Sequence, residues 1–136
     1  LIESSVQPMK GAMEVLERLR GNLRLALASA SHGNVVGSVL DRLGITHYFE
    51  NILSGDDVER SKPFPDIFLQ SARNLSIAPS ECVVLEDAER GVLAAKRAGM
   101  QCIAIPNHYT KDHDFSSAAQ VLSSLDYVTL ELLSSL

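Results

Sequence analysis

The chain has 136 residues, a length that suits one domain, and 46% of them are apolar, so a buried core can form. Aromatic residues make up only 5% and tryptophan is absent, which leaves aliphatic and small side chains to build that core. The formal net charge of -5 argues against a nucleic-acid partner bound over a broad surface, and no apolar stretch is long enough for a membrane span.

The first half of the chain is predicted to alternate between helix and strand. Apolar residues at helical spacing predict a helix over 8–20, and the short apolar run over 23–30 predicts a buried parallel strand. A second amphipathic pattern predicts a helix over 34–43 that ends at Gly44. A short strand over 51–54 and a polar loop follow it.

The second half continues the alternation. Pro65 suits the first turn of a helix, where no backbone N–H is needed, and that helix is predicted to place four apolar residues on one stripe: Phe64, Phe68, Ala72 and Leu75. The remaining elements are a strand over 82–85, a helix of small residues over 88–98, a strand over 101–105 and a final amphipathic segment with Leu130, Leu132 and Leu133. The polar segment between Pro106 and Asp114 is interpreted as a solvated loop.

Strands that alternate with helices predict βαβ units, and therefore an α/β domain with a mainly parallel sheet. Ligands of such sheets bind beyond the carboxyl ends of the strands. The residues that close each predicted strand are therefore the candidates for a functional site.

The two cysteines, Cys82 and Cys102, both lie in apolar runs. This placement predicts buried free thiols in a reducing compartment, and hence a cytoplasmic protein. A redox pair or a metal site would need a tighter motif.

The first predicted strand ends in Ser29, Ala30 and Ser31. Hydroxyl groups and free backbone N–H groups between a strand and a helix suit the binding of a phosphate. The alternative is structural, because serine often caps helices and Ser31 precedes one. The residues by themselves leave both interpretations open.

Lys62 lies in the loop after the second strand, between Ser61 and Pro63. The prolines at 63 and 65 stiffen the backbone and would direct the ammonium group inward, where it would reduce the repulsion between a phosphate and a carboxylate. The alternative is an exposed lysine in a loop.

Glu86 and Asp87 close the predicted strand over 82–85. Adjacent carboxylates repel each other, and a nearby cation relieves that repulsion. Mg²⁺ takes hard oxygen ligands and usually only one or two protein carboxylates. In the alternative, Asp87 caps the next helix while Glu86 is solvated.

Three runs resemble motifs two, three and four of the haloacid dehalogenase superfamily. They are LALASAS at 25–31, SKPFPDIF at 61–68 and VVLEDAERGVLAAKRAGM at 83–100. The chain is most similar to the β-phosphoglucomutase-like phosphatases of that superfamily. The resemblance implies a Rossmann-like α/β/α core of three layers.

The resemblance also implies a role for each phosphate-binding candidate. Ser29 would donate a hydrogen bond to the phosphoryl group that is transferred, helped by the backbone N–H of Ala30. Lys62 would bridge that phosphoryl group and the carboxylate that attacks it. Ser31 would contact a second phosphate or a hydroxyl of the substrate.

The same resemblance implies that Glu86 and Asp87 hold Mg²⁺, Asp87 more directly. The implied substrate is a small phosphorylated metabolite such as a sugar phosphate. Related mutases have an asparagine two positions after the second serine of motif two, whereas here Asn34 comes one position later. A phosphomutase and a non-catalytic module that binds phosphate or a partner are the alternatives to a phosphohydrolase.

The family begins with a strand that ends in Asp-x-Asp-Gly-Thr, whose first aspartate attacks phosphorus and whose second acts as acid and base. No such run occurs in the 136 residues, nor does the helical cap that lies between motifs one and two. We therefore predict that 1–136 form one incomplete core domain without its central strand, and that 1–8 are the return from the cap. This chain is predicted to be inactive by itself.

A missing central strand would leave a sheet edge unpaired, which favours self-association. A monodisperse monomer in light scattering would contradict this hypothesis.

Overall fold

The computed structural model describes residues 11–136. The helices are α1 (Ala12–Leu19), α2 (Gly33–Leu43), α3 (Asp66–Leu75), α4 (Glu89–Arg97) and α5 (Leu130–Ser134). The strands are β1 (Ala26–Ala28), β2 (Asn51–Leu53), β3 (Val83–Glu86), β4 (Gln101–Ala104) and β5 (Gln120–Val121). The predicted beginning of the first helix at residue 8 and the predicted return from a cap over 1–8 lie outside the described residues.

The strands form two parallel sheets. β1 pairs with β2, and β3, β4 and β5 pair in that order, with Glu86 opposite Ala104 at the carboxyl end of the β3–β4 ladder. Within residues 11–136 no strand pairs with the second edge of β1 or of β3. The predicted α/β class with parallel sheets is therefore confirmed. Self-association through the free edges remains a prediction.

The core has a helix layer on each side of β3 and β4. Because side chains alternate along a strand, Cys102 and Ala104 of β4 pack with α3 and α4, whereas Ile103 packs with α1 on the other side. A third cluster packs Val36 and Leu40 of α2 with partly buried side chains of β1 and β2. Burial on both faces explains why β4 is almost continuously apolar.

The predicted strand over 23–30 was too long. β1 contains only Ala26–Ala28, and Leu23 is 43% exposed. Among the described residues β1 has a partner on one side only, so the flanking residues lack the neighbours that would extend the ladder. The pairing continues by single hydrogen bonds, from Ser29 N–H to the Leu53 carbonyl at 3.0 Å and from Glu50 N–H to the Leu25 carbonyl at 2.8 Å.

The predicted stripe of the third helix was also partly wrong. Phe64 precedes α3, is 43% exposed and stacks with the guanidinium group of Arg60 at 4.6 Å. Pro65 is the N-cap of α3 and not part of its first turn. Phe68 and Ala72 are buried as predicted, together with Ile67.

Two features near the carboxyl end were not predicted from the sequence. β5 has two residues, which is too short to show a strand period. Leu125 and Val128 are fully buried, and Arg18 of α1 donates hydrogen bonds of 2.9–3.0 Å to both of their carbonyl groups.

Cys102 is buried as predicted, but Cys82 is only half-buried, and both thiols are free.

None of the helices described between residues 11 and 136 combines the length and the apolar character that crossing a membrane requires.

Candidate functional site

Lys62 joins the carboxyl ends of the two sheets. Its ammonium group donates a hydrogen bond of 3.1 Å to the carbonyl of Ala28, the last residue of β1, and lies 2.6 Å from the carboxylate of Glu86, the last residue of β3. The ammonium group also lies over the Phe68 ring of α3, 5.0 Å from the ring centre, at a distance suited to a cation–π interaction. The fold thus brings together three segments that the sequence identifies as candidates: the end of β1, the loop with Lys62 and the end of β3.

The burial of this pair excludes two of the structural alternatives. The Lys62 side chain is 12% exposed and the Glu86 side chain is 11% exposed, so neither is a solvated surface group. Asp87 does not cap α4, because Ala88 is its N-cap and no side chain occupies that role. Ion pairs with so little exposure hold their geometry, because separating them would leave a buried charge uncompensated.

A glycine of α4 makes room for the buried carboxylate. A Cβ atom on Gly91 would lie 1.9 Å from Cδ of Glu86, far inside contact distance. Only a glycine therefore lets the Glu86 carboxylate pass close to the helix backbone and reach Lys62. The sequence predicts a helix of small residues here, but local spacing does not show that position 91 must be glycine.

In the loop of Ser29, Ala30 and Ser31, the Ser29 hydroxyl group accepts a hydrogen bond from the backbone of the same loop. The Oγ of Ser29 accepts a hydrogen bond of 3.1 Å from the backbone N–H of Ser31, which leaves the hydroxyl hydrogen free to donate. The backbone N–H of Ala30 makes no hydrogen bond to any residue between 11 and 136. Two donors suited to an oxyanion therefore lie next to the end of β1.

Gly55 clamps this loop from the β2 side. Its N–H donates a hydrogen bond of 2.8 Å to the Ser31 carbonyl, and a Cβ there would lie 2.5 Å from the Ala30 carbonyl oxygen. The loop and the segment after β2 are thus in close backbone contact. The sequence shows only a glycine in a loop at this position and does not predict the close backbone contact.

The capping role considered for Ser31 belongs to other residues. His32 is the N-cap of α2, and the carboxylate of Asp56 accepts a hydrogen bond of 2.7 Å from Gly33 N–H and lies 2.9 Å from Nδ1 of His32. The hydrogen bond from Gly33 lowers the pKa of Asp56, and the hydrogen bond to Asp56 raises the pKa of His32. No local sequence pattern identifies this role of Asp56, because His32 and Gly33 lie more than 20 residues away.

Asp87 has a different hydrogen-bond partner from Glu86. One oxygen, Oδ2, accepts a hydrogen bond of 3.0 Å from the side-chain amide of Asn107, and the other accepts none from the described residues. Across residues 11–136 no group of three or more His, Cys, Asp or Glu side chains could enclose a metal ion. One free carboxylate oxygen at an open edge nevertheless suits Mg²⁺, which commonly completes its shell with water and substrate oxygens.

The remaining polar groups near this edge are structural. Burial raises the pKa of the Cys102 thiol to about 12, so this cysteine is a core residue and not a nucleophile. The Nδ1 of His113 accepts a hydrogen bond of 3.1 Å from Glu89 N–H, and Glu89 in turn accepts one of 3.0 Å from Asp114 N–H. The segment that was interpreted as a solvated loop is therefore fastened to the first turn of α4.

Comparisons with known proteins identify the family of this chain. A profile of the haloacid dehalogenase-like hydrolases matches residues 1–105. The protein YhcW of Bacillus subtilis (strain 168) is 40% identical over 111 residues, which cover 82% of this chain and 50% of YhcW. The fructose-1-phosphate phosphatase YqaB of Escherichia coli (strain K12) is 33% identical over 105 residues, which cover 77% of this chain and 55% of YqaB. This chain spans about half the length of these curated relatives.

Solved structures lead to the same family. CbbY from Rhodobacter sphaeroides in complex with phosphate superposes with a TM-score of 0.86 at 32% identity, covering 93% of this chain and 58% of that one. A β-phosphoglucomutase from Clostridium difficile superposes with a TM-score of 0.79 at 28% identity, covering 94% of this chain and 55% of that one. The fold and the family that the three motifs implied are confirmed: this chain belongs to the haloacid dehalogenase-like hydrolases.

Proposed function

We propose that this chain is the carboxyl-terminal core of a magnesium-dependent phosphohydrolase that acts on a small phosphorylated metabolite, such as a sugar phosphate. The observation that carries the proposal is the position of Lys62, whose ammonium group contacts the ends of both β1 and β3. A cation there can neutralise charge between a phosphoryl group and the acids that surround it. The names of YqaB, a fructose-1-phosphate phosphatase, and of CbbY bound to phosphate support the substrate class.

In this proposal the β1 loop binds the transferred phosphoryl group. Ser29 donates through its free hydroxyl hydrogen and Ala30 through its backbone N–H. Lys62 supplies the positive charge, and Ser31 lies further along the loop toward a second phosphate or a hydroxyl of the substrate. These groups are fixed before substrate arrives, so little reorganisation is needed as charge develops.

Asp87 is the residue that would hold Mg²⁺ through its free oxygen, and Glu86 would act mainly through Lys62. When bound, the ion would supply neutralisation of the negative charge on the phosphoryl oxygens. The Glu86 carboxylate holds the Lys62 ammonium group beside the proposed phosphate site, and that ammonium group balances the charge of Glu86. The two adjacent acids would thus have different roles in one site.

The nucleophile implied by the family is the first aspartate of Asp-x-Asp-Gly-Thr, which would form an aspartyl-phosphate that water then cleaves. The 136 residues contain no such run. We therefore expect the purified chain to release no phosphate from p-nitrophenyl phosphate in the presence of Mg²⁺.

A chimera tests the proposal directly. The part of YhcW that precedes the aligned region would be joined to this chain, and hydrolysis of p-nitrophenyl phosphate and of sugar phosphates would be measured with Mg²⁺. We expect turnover that Lys62→Ala and Asp87→Ala each reduce about a hundredfold or more. The matched controls are Lys96→Ala in α4 and Asp41→Ala in α2, two exposed positions where we expect no change.

The outcomes separate the alternatives. Turnover by the 136-residue chain alone that is lost in Asp87→Ala would contradict the need for the family's nucleophile. A folded chimera without activity would instead favour a module that binds phosphate or a partner without catalysis.

A phosphomutase is the second candidate, supported by the likeness to β-phosphoglucomutase. Asn34 lies exposed in the first turn of α2. The asparagine of the related mutases would fall one position earlier, where this chain has Gly33. The active chimera would decide between the two by its products. Free phosphate indicates hydrolysis, and a hexose phosphate with its phosphate moved to another carbon indicates mutase activity.

A further inference from the structure

The strongest unexplained feature of the site is the side chain of Asn107. It lies after β4, and the β3–β4 register, with Glu86 opposite Ala104, brings the end of β4 next to Glu86 and Asp87. Its amide nitrogen donates a hydrogen bond of 3.0 Å to Oδ2 of Asp87 across 20 residues of sequence. No pattern in the sequence pointed to this residue.

The orientation of the Asn107 amide follows from its other contacts. Its carbonyl oxygen accepts hydrogen bonds from the backbone N–H groups of Tyr109 at 2.8 Å and Thr110 at 3.1 Å. A flipped amide would place its oxygen against the Asp87 carboxylate and its N–H₂ group against these two donors, with repulsion on both sides. The amide N–H must therefore face Asp87.

The loop that carries Asn107 is held at several points. Thr110 is buried, and its hydroxyl oxygen accepts a hydrogen bond of 2.9 Å from the Asn107 backbone N–H. Further along, His113 and Asp114 make hydrogen bonds to Glu89 at the beginning of α4. The contacts that Asn107 makes with Tyr109 and Thr110 fix the direction of its amide, whereas the contacts with Glu89 hold only the far end of the loop.

The two neighbouring acids are consequently held by partners of different charge. Glu86 is paired with the ammonium group of Lys62, which balances its charge. Asp87 is held by a neutral amide, which fixes one oxygen without cancelling the charge of the carboxylate. The negative charge of Asp87 therefore stays unbalanced and available to a cation, whereas that of Glu86 is balanced by Lys62.

We propose that Asn107 is a positioning residue for Asp87, and that its amide holds Oδ2 so that Oδ1 faces a divalent cation. The inference rests on the proposed function, because it assumes that Asp87 binds the metal ion. Partners that orient a ligand in this way commonly alter metal affinity by about 10–100-fold when they are removed.

The test uses the 136-residue chain and Mn²⁺ as a paramagnetic probe in ¹H–¹⁵N NMR spectra, which detect weak binding. In the wild-type chain the backbone signals of Asp87 and Asn107 should broaden first as Mn²⁺ is added. Asn107→Ala should require about tenfold more Mn²⁺ for the same broadening. His113→Ala loosens the same loop and leaves the Asn107–Asp87 contact in place, so it should broaden as the wild type does.

Asp87→Ala separates failure of this inference from failure of the proposed function. If Asp87→Ala removes the broadening but Asn107→Ala does not weaken it, the positioning role is wrong and the metal site stands. If the wild type shows no local broadening, or Asp87→Ala keeps it, the metal site itself is wrong and the inference fails with it. Equal weakening in Asn107→Ala and His113→Ala would indicate a loop effect only and would also overturn the inference.

Discussion

Replacing Lys62 with methionine is expected to lower the free energy of unfolding by about 3–5 kcal/mol. Methionine keeps the length of the side chain but removes the charge, so Glu86 would remain buried without a partner, and the Ala28 carbonyl would lose its donor. Unfolding in urea, followed by circular dichroism, measures the effect. The exposed residue Lys96 provides the matched control, because Lys96→Met should change stability by less than about 0.5 kcal/mol.

A double-mutant cycle identifies the cause of that loss. Glu86→Gln combined with Lys62→Met removes both charges, so the double variant should be less destabilised than the sum of the single variants by about 1–3 kcal/mol. Strictly additive effects would mean that the ion pair contributes nothing beyond packing. A loss below about 1 kcal/mol in Lys62→Met would contradict the buried-charge argument altogether.

Gly91→Ala is expected to lower the free energy of unfolding by about 2–4 kcal/mol, although alanine is the better helix former by about 1 kcal/mol. The new methyl group would occupy the position of the Glu86 carboxylate, which would have to leave its place beside Lys62. Losing a buried ion pair costs more than the gain in helix propensity. Urea unfolding again provides the measurement.

The control for this substitution is Gly37→Ala in α2. Among residues 11–136, no atom beyond the adjacent residues and the backbone of its own helix lies within 4 Å of a Cβ at Gly37. Only the helix propensity therefore changes, and the free energy of unfolding should rise by about 0.5–1 kcal/mol. The two substitutions are chemically identical and should differ in sign. Stabilisation by both would show that the Glu86 side chain moves aside at little cost, and that the close approach is not a constraint.

The helices and the main strands followed from local patterns. α2 ends where Gly44 adopts a left-handed conformation, with φ at 66°, and the apolar positions Val36, Val39 and Leu40 face the core as their spacing predicts. β3 and β4 were recognised as buried strands because their residues are apolar on both faces. In each case the deciding residues lie within a few positions of one another.

The set of residues at the site was partly predictable for a related reason. Parallel strands place their carboxyl ends at one edge, so the ends of β1 and β3 and the loop with Lys62 had to be neighbours once the α/β order was recognised. The same rule did not reach Asn107, because a polar residue directly after a proline resembles any other loop residue. Nor did it distinguish Glu86 from Asp87, which are equivalent in sequence.

The sequence alone determined the fold class, the order of the main elements and the edge at which the polar side chains gather. Those properties depend on residue spacing and on the direction of the strands. Only the tertiary structure decided that Lys62 neutralises Glu86, that Asn107 holds Asp87 and that Asp56 caps α2, because each partner lies 20 or more residues away. Contacts across such separations depend on the packed positions of whole elements, which no local pattern encodes.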